Sequence, residues 1–191
     1  MTTTISKNFE VNEPIEKVWA YLIDPEKIVV CVPGASLREK IDDRNYKGGV
    51  TLKFGPVKAS YDGDINFAEI DEASRKMTLK GRGLDTKGKG SADMLMQSSL
   101  QSTATGTSVD CSMQISIVGK LAQFGARLIN DVSDELFNQF VSNFQAKLAA
   151  DATGEETVAA PAGEGDNSLN AFSLLINLIK NWLSKLFGGA K

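Results

Sequence analysis

The chain predicts an α+β domain in which a curved antiparallel sheet wraps one long C-terminal helix, followed by a linker and a separate amphipathic helix. Three observations predict this. Apolar and polar residues alternate through the middle of the chain. An apolar stripe at helical spacing runs from about Leu121 to Ala149. A second, wider apolar face runs from Ser168 to Phe187, behind a stretch of small and acidic residues.

Taken in order, Thr2 to Val11 reads as a strand. Asn12-Glu13-Pro14 marks a helix start, with Asn12 as the cap, an early acid and an early proline. Ile15, Val18, Trp19 and Leu22 then recur at helical spacing. Asp24-Pro25-Glu26 opens a second short helix, which Pro33-Gly34 stops. Strands follow. Val57, Ala59, Tyr61, Ile65 and Phe67 alternate with Lys58, Ser60, Asp62, Asp64 and Asn66. Met94, Met96 and Leu100 share one parity. Val109, Cys111, Met113, Ile115 and Ile117 alternate with Asp110, Ser112, Gln114 and Ser116. Such alternation marks half-buried antiparallel strands, apolar inside and polar outside. Turns fall at Asp42-Asp43-Arg44-Asn45, near Asp71-Glu72-Ala73-Ser74, and at Ala104-Thr105-Gly106. On the closing helix, Leu121, Phe124, Leu128, Val132, Leu136, Phe140, Phe144 and Leu148 form one stripe, widened by Ile129, Phe137 and Val141.

Three parts result: a globular domain over 1–150, an acidic Pro/Gly-containing linker over 151–167, and a tail over 168–191. The linker has an r.m.s. reach of roughly 20–25 Å if it behaves as a flexible coil. In the tail, Asn170, Ser173, Asn177, Lys180, Asn181, Ser184 and Lys185 fall on one polar stripe. The rest is apolar: Leu169, Phe172, Leu175, Ile176, Ile179, Trp182, Leu183, Leu186 and Phe187 face the other way. A polar stripe along the whole length argues against a spanning helix and for one lying in the headgroup zone of a bilayer. Each fully buried large side chain contributes roughly 1.5–3 kcal/mol. Lys180 and Lys185 each add roughly 1 kcal/mol near anionic lipid, and Trp182 suits the interface. A partner protein's groove or the protein's own core are the alternatives.

Composition removes several classes of function. The formal net charge of −3 gives no argument for nucleic acid. The chain contains no histidine, so the commonest general base and metal ligand are absent. The two cysteines, Cys31 and Cys111, lack metal spacing and read as buried thiols. MTTTISKNFEV lacks the pattern of a signal peptide, which predicts a cytoplasmic protein. Gly81-Arg82-Gly83 and Gly88-Lys89-Gly90 lie between strand patterns and read as a hairpin bend or bulge, not a phosphate loop. No catalytic set and no metal set emerges.

The inward parities are mostly aliphatic or Met. Methionine adapts to irregular apolar shapes, which fits a greasy cavity; plain core filling is the alternative. The candidate lining is Phe54, Tyr61, Ile65, Met77, Leu79, Met94, Met96, Met113, Ile115, Phe124, Leu128 and Val132. Tyr61 also offers a hydroxyl for a ligand carbonyl.

Several segments together carry a family resemblance. They are Ala20-Tyr21-Leu22-Ile23-Asp24-Pro25-Glu26, Cys31-Val32-Pro33-Gly34-Ala35, Gly55-Pro56-Val57-Lys58-Ala59, Lys87-Gly88-Lys89-Gly90-Ser91-Ala92 and Val118-Gly119-Lys120-Leu121-Ala122-Gln123-Phe124-Gly125 with Ala126-Arg127-Leu128-Ile129. On these the chain resembles the carbon monoxide dehydrogenase CoxG family of the START-like, helix-grip superfamily. The resemblance implies a seven-stranded sheet, a deep cavity under the long helix, and a non-catalytic role beside a molybdenum hydroxylase at the cytoplasmic membrane. With the greasy cavity, it leads to the expectation of a bound apolar lipid, an isoprenoid quinone such as menaquinone or ubiquinone. A ligand-free recruitment scaffold and a cyclase- or dehydratase-like enzyme are the competing readings. Deleting residues 168–191 is expected to leave a folded domain that no longer sediments with anionic liposomes; unchanged sedimentation would remove the membrane role of the tail.

Overall fold

A computed structural model describes residues 1–54, 57–88 and 90–153; the side chain of Phe54, the chain beyond Thr153 and hence every tail residue named above lie outside the described residues. In chain order the elements are β1 (Thr2–Val11), α1 (Ile15–Leu22), α2 (Pro25–Val29), β2 (Ala35–Lys40), β3 (Asn45–Phe54), β4 (Val57–Asp71), β5 (Lys76–Asp85), β6 (Ser91–Ser102) and β7 (Thr107–Val118). A 3-10 turn (Lys120–Phe124) then leads into α3 (Gly125–Thr153). The strands form one seven-stranded sheet in the order β1-β7-β6-β5-β4-β3-β2. Neighbours are antiparallel throughout.

The alternation sets the two faces. Phe9, Val109, Leu100, Met77 and Phe67 fall on the inner face and are buried. Their neighbours Asn8, Asp110, Gln101, Lys76 and Ala68 point out and are exposed. α3 runs alongside β1 in the same direction. Thr3 Oγ1 donates to Asn130 at 3.5 Å, Lys7 meets Asp134 at 2.5 Å, and Gln145 donates to the Glu10 carbonyl at 3.0 Å. Phe9 meets Phe137, Phe140 and Phe144 edge-on, with centroids 5.7, 6.0 and 6.2 Å away. Such pairs add about 0.5–1.5 kcal/mol each beyond burial.

Asp24 caps α2 as expected, its carboxylate accepting from Glu26 N and Lys27 N. Three expectations need correction. Asn12 does not cap α1: Pro14 takes the cap position, and its carbonyl accepts from Lys17 N and Val18 N. The closing helix begins at Gly125 rather than Leu121, because Gly125 sits at φ 79, a left-handed conformation that breaks the helical run. It continues to Thr153, so the first residues of the expected linker are helical. The 81–83 glycines also lie inside β5, not in its turn.

A row of glycines, Gly48-Gly63-Gly83, crosses β3, β4 and β5 in register on the inner face. At Gly63 the neighbouring backbone comes so close that a Cβ would stand 1.9 Å from the Arg82 carbonyl oxygen. Only glycine permits that approach, and the sheet curls there. The Gly63→Ala variant is expected to lose about 1–3 kcal/mol, read as a lower urea midpoint; an unchanged midpoint would mean that the strands separate freely at this point.

Candidate functional site

The inner face is packed at two places. One core gathers Phe9, Trp19, Leu22, Phe67, Met77, Leu100, Val109, Phe144 and Leu148 beneath α1, α2 and the second half of α3. A smaller one joins Ala59, Tyr61, Ile117, Leu121 and Ile129 at the opposite end. Ile65, Leu79 and Met96 pack against the first core, and Ile115 against the second. Between them Ile5, Met94, Met113, Leu128 and Val132 stay half-buried. Register places them there. Met113 pairs with Ile5 and with Met96 of the first core, while Met94 pairs with Ile115 of the second. On α3, Val132 lies between Ile129 and Phe137, one from each core.

These five side chains make the less tightly covered middle of the inner face, between the two cores. The Met94 side chain packs over Gly81, where a Cβ would come within 3.2 Å of Met94 Cε. At one side Lys7 and Asp134 bridge β1 to α3, with the ammonium 5.7 Å from the Phe137 ring centroid. Both partners are partly solvated, so the pair contributes little stability, roughly 0–1 kcal/mol.

The polar groups near the gap are sparse. Tyr61 is 6% exposed, and its hydroxyl has no hydrogen-bond partner among the described residues. Burial first, and then the charge of Asp85, raises the Tyr61 phenol above its ordinary range. Burial also pushes the Cys111 thiol up, against the opposing effect of Ser98, whose Oγ lies 3.2 Å from Sγ. The Cys31 thiol is raised by burial as well. Neither thiol is primed as a thiolate nucleophile. On α1, burial and then the hydrogen bond to Asp151 push Tyr21 up to about 12. No His/Cys/Asp/Glu group among the described residues is arranged to hold a metal ion. No helix among them is long and apolar enough to cross a membrane.

Of the expected lining, Met94, Met113, Leu128 and Val132 are half-buried between the cores, while Ile65, Leu79 and Met96 pack against the first core and Ile115 against the second. Tyr61 and Met77 belong to the flanking cores. Phe124 is a correction: it sits on the 3-10 turn and is 47% exposed, because the break at Gly125 takes it off the inward stripe of α3. Ile5 is the lining residue that the sequence reading misses, although its parity with Phe9 and Val11 carries the signal. Two further grooves lie on the outward face. One of about 610 Å3 is lined by residues such as Ser6, Asn8, Gln97 and Ser112, and one of about 410 Å3 by Asn66, Lys80, Arg82 and Gln114. Their linings mix polar and apolar groups, and both lie across the sheet from α3.

A curled antiparallel sheet that grips a long helix over an apolar gap defines a helix-grip protein of the START-like class. The chain belongs to the carbon monoxide dehydrogenase CoxG family, whose sequence profile matches residues 8–149. Among solved structures it is similar to a conserved protein from Geobacillus kaustophilus, at 24% identity and a TM-score of 0.66 over 78% of this chain and 95% of that one. It is similar to a protein from Chromobacterium violaceum, at 18% identity and a TM-score of 0.54 over 76% and 96%. It is similar to an aromatase/cyclase from Streptomyces sp. R1128, at 9% identity and a TM-score of 0.52 over 84% and 99%. At these identities the likenesses establish the fold alone. No curated protein matches the chain.

A substitution in the gap separates a cavity from a core. Val132→Phe is expected to leave the urea midpoint within about 0.5 kcal/mol of the parent, while uptake of a fluorescent apolar probe falls several-fold. A loss of about 1–3 kcal/mol would instead mark a solid interior.

Proposed function

We propose that this chain is a non-catalytic accessory protein that carries an isoprenoid quinone, or a similar long apolar lipid, between the cytoplasmic membrane and a molybdenum hydroxylase of the carbon monoxide dehydrogenase type. The observation that carries the reading is the half-buried apolar stretch between the two cores, with Met94 and Met113 on the sheet and Leu128 and Val132 on α3. Such a lining takes up branched hydrocarbon without demanding one fixed shape. The unpartnered Tyr61 hydroxyl, at the smaller core, supplies a donor for a quinone carbonyl. Family membership supports the link to the hydroxylase.

The chemistry of the partners agrees. Oxidation of carbon monoxide by water to carbon dioxide releases two electrons and two protons, the complement that converts a quinone to its quinol. The tail, with Trp182, Lys180 and Lys185 beside a broad apolar face, supports attachment to the inner surface of the membrane. In this reading the cargo's source lies at one end of the path and its reductant at the other. The enzyme reading has less behind it: the chain holds no histidine, and the charged pair beside the gap, Lys7 with Asp134, is tied up in its own salt bridge.

Extraction tests the proposal. The full chain is purified from its own host, and the organic extract is read by mass spectrometry. A quinone is expected in the extract, and in vitro the Tyr61→Phe variant is expected to bind it several-fold more weakly, the loss of one hydrogen bond being about 1 kcal/mol. Extracts empty at every preparation would overturn the carrier reading and leave a recruitment scaffold.

A further inference from the structure

The strand register gathers several turns at one end of the sheet. Thr51 N donates to the Gly34 carbonyl at 2.8 Å, which brings the loop before β2 beside the end of β3. Thr86 N donates to the Ser60 carbonyl at 2.9 Å, which brings the β5–β6 loop beside the start of β4. Ser91 pairs with Val118, which adds the end of β7 and the 3-10 turn. Large apolar side chains stand in water along this rim: Leu84 is 60% exposed, Val118 57% and Phe124 47%.

The same rim is cationic. Lys53, Lys58, Lys87, Lys120 and Arg127 are exposed, and none has an ion-pair partner among the described residues. Several other cations are paired, as in Lys17 with Glu13, Arg38 with Asp62 and Lys47 with Glu39, although Arg44, Lys76 and Lys80 have no ion-pair partner among the described residues. The carboxylate of the β5–β6 loop, Asp85, is engaged by Lys87 N at 2.9 Å. The turns at the far end carry Asp42, Asp43, Asp71 and Glu72 instead. The larger core with α1 and α2 lies at that far end, whereas Phe124 ends the 3-10 turn just before α3 begins.

We infer that this rim is a second membrane contact, a patch that seats the mouth of the concavity on an anionic bilayer. Unpaired ammonium and guanidinium groups around isolated apolar knobs complement phosphate headgroups over acyl chains. An apolar cargo would then pass between bilayer and gap without crossing water. The inference rests on the lipid-carrier reading, yet it concerns a surface separate from the tail.

The test uses the full chain carrying Trp182→Phe, so that the buried Trp19 is the remaining native indole, with Phe124→Trp added as the reporter. Vesicles of equal phosphatidylcholine and phosphatidylglycerol are prepared with and without brominated acyl chains. The indole placed at position 124 is expected to lose about half its emission on the brominated vesicles, as an interfacial residue does. A Glu72→Trp reporter at the far end is expected to lose none. Lys58→Glu with Lys120→Glu is expected to weaken vesicle binding by about tenfold or more. A chain that floats with the vesicles while the position-124 reporter stays bright overturns the rim contact and leaves tail tethering intact. A chain that does not float overturns both. A reporter shielded by the purified hydroxylase but not by vesicles assigns the rim to that enzyme and overturns the inference.

Discussion

One helix cannot cover the inner face of seven strands. Strands lie about 4.8 Å apart, so the sheet ordered β1 to β2 is about 28 Å wide, whereas a helix with its side chains is about 10–12 Å across. The rest of the structure answers that mismatch. α1 and α2 fill one end of the concave face, curling at the glycine row narrows the other, and the seam of Phe9 against Phe137, Phe140 and Phe144 pins α3 along the β1 side. Least tightly covered is the middle, where Met94, Met113, Leu128 and Val132 are half-buried.

The parts of this arrangement that were legible in the sequence are those set by local chemistry. Period-two alternation placed Tyr61, Ile65 and Phe67 inward, and the Asp24-Pro25-Glu26 start gave α2 its cap. The parts that were not legible depend on neighbours distant in the chain. Phe124 fits the apolar stripe of a continuous helix, and only the backbone at Gly125, held at φ 79, takes it off that stripe. Gly81 and Gly83 read as loop residues because glycine is common in turns. Their role in β5 follows from the close approach of β4, which no local window contains. Similarly, the linking of Lys7 to Asp134 joins segments at opposite ends of the domain, and nothing in either segment names the other.

The cationic rim illustrates the same limit. Lys53, Lys58, Lys87, Lys120 and Arg127 are scattered through the sequence among enough acids to leave the chain slightly negative. Antiparallel pairing sorts them. Alternate turns of a meander fall at alternate ends of the sheet, so β3–β4 and β5–β6 share one end while β2–β3, β4–β5 and β6–β7 share the other. A chain with a formal net charge of −3 thereby sets five cations, unpaired among the described residues, apart at one end. Net charge alone carries no trace of that separation.

The similarity to an aromatase/cyclase shows how little chemistry the fold dictates. A cavity enzyme needs groups that take and return protons at fixed positions in the hollow. Here the hollow is lined by thioethers and aliphatic carbons, and the unpartnered hydroxyl beside it, that of Tyr61, is a phenol held neutral by burial and by the charge of Asp85. A neutral phenol donates a hydrogen bond and keeps its proton. Met94 and Met113 face Leu128 and Val132 with soft, unbranched chains that rearrange at low cost, a property wasted in a solid core and useful against a flexible polyisoprenoid. Adaptable walls with a fixed donor at one end discriminate by polarity at a single point and by little else. On the proposed carrier reading, that is the selectivity needed to release what is bound, whereas a catalyst has to hold a reacting atom in place.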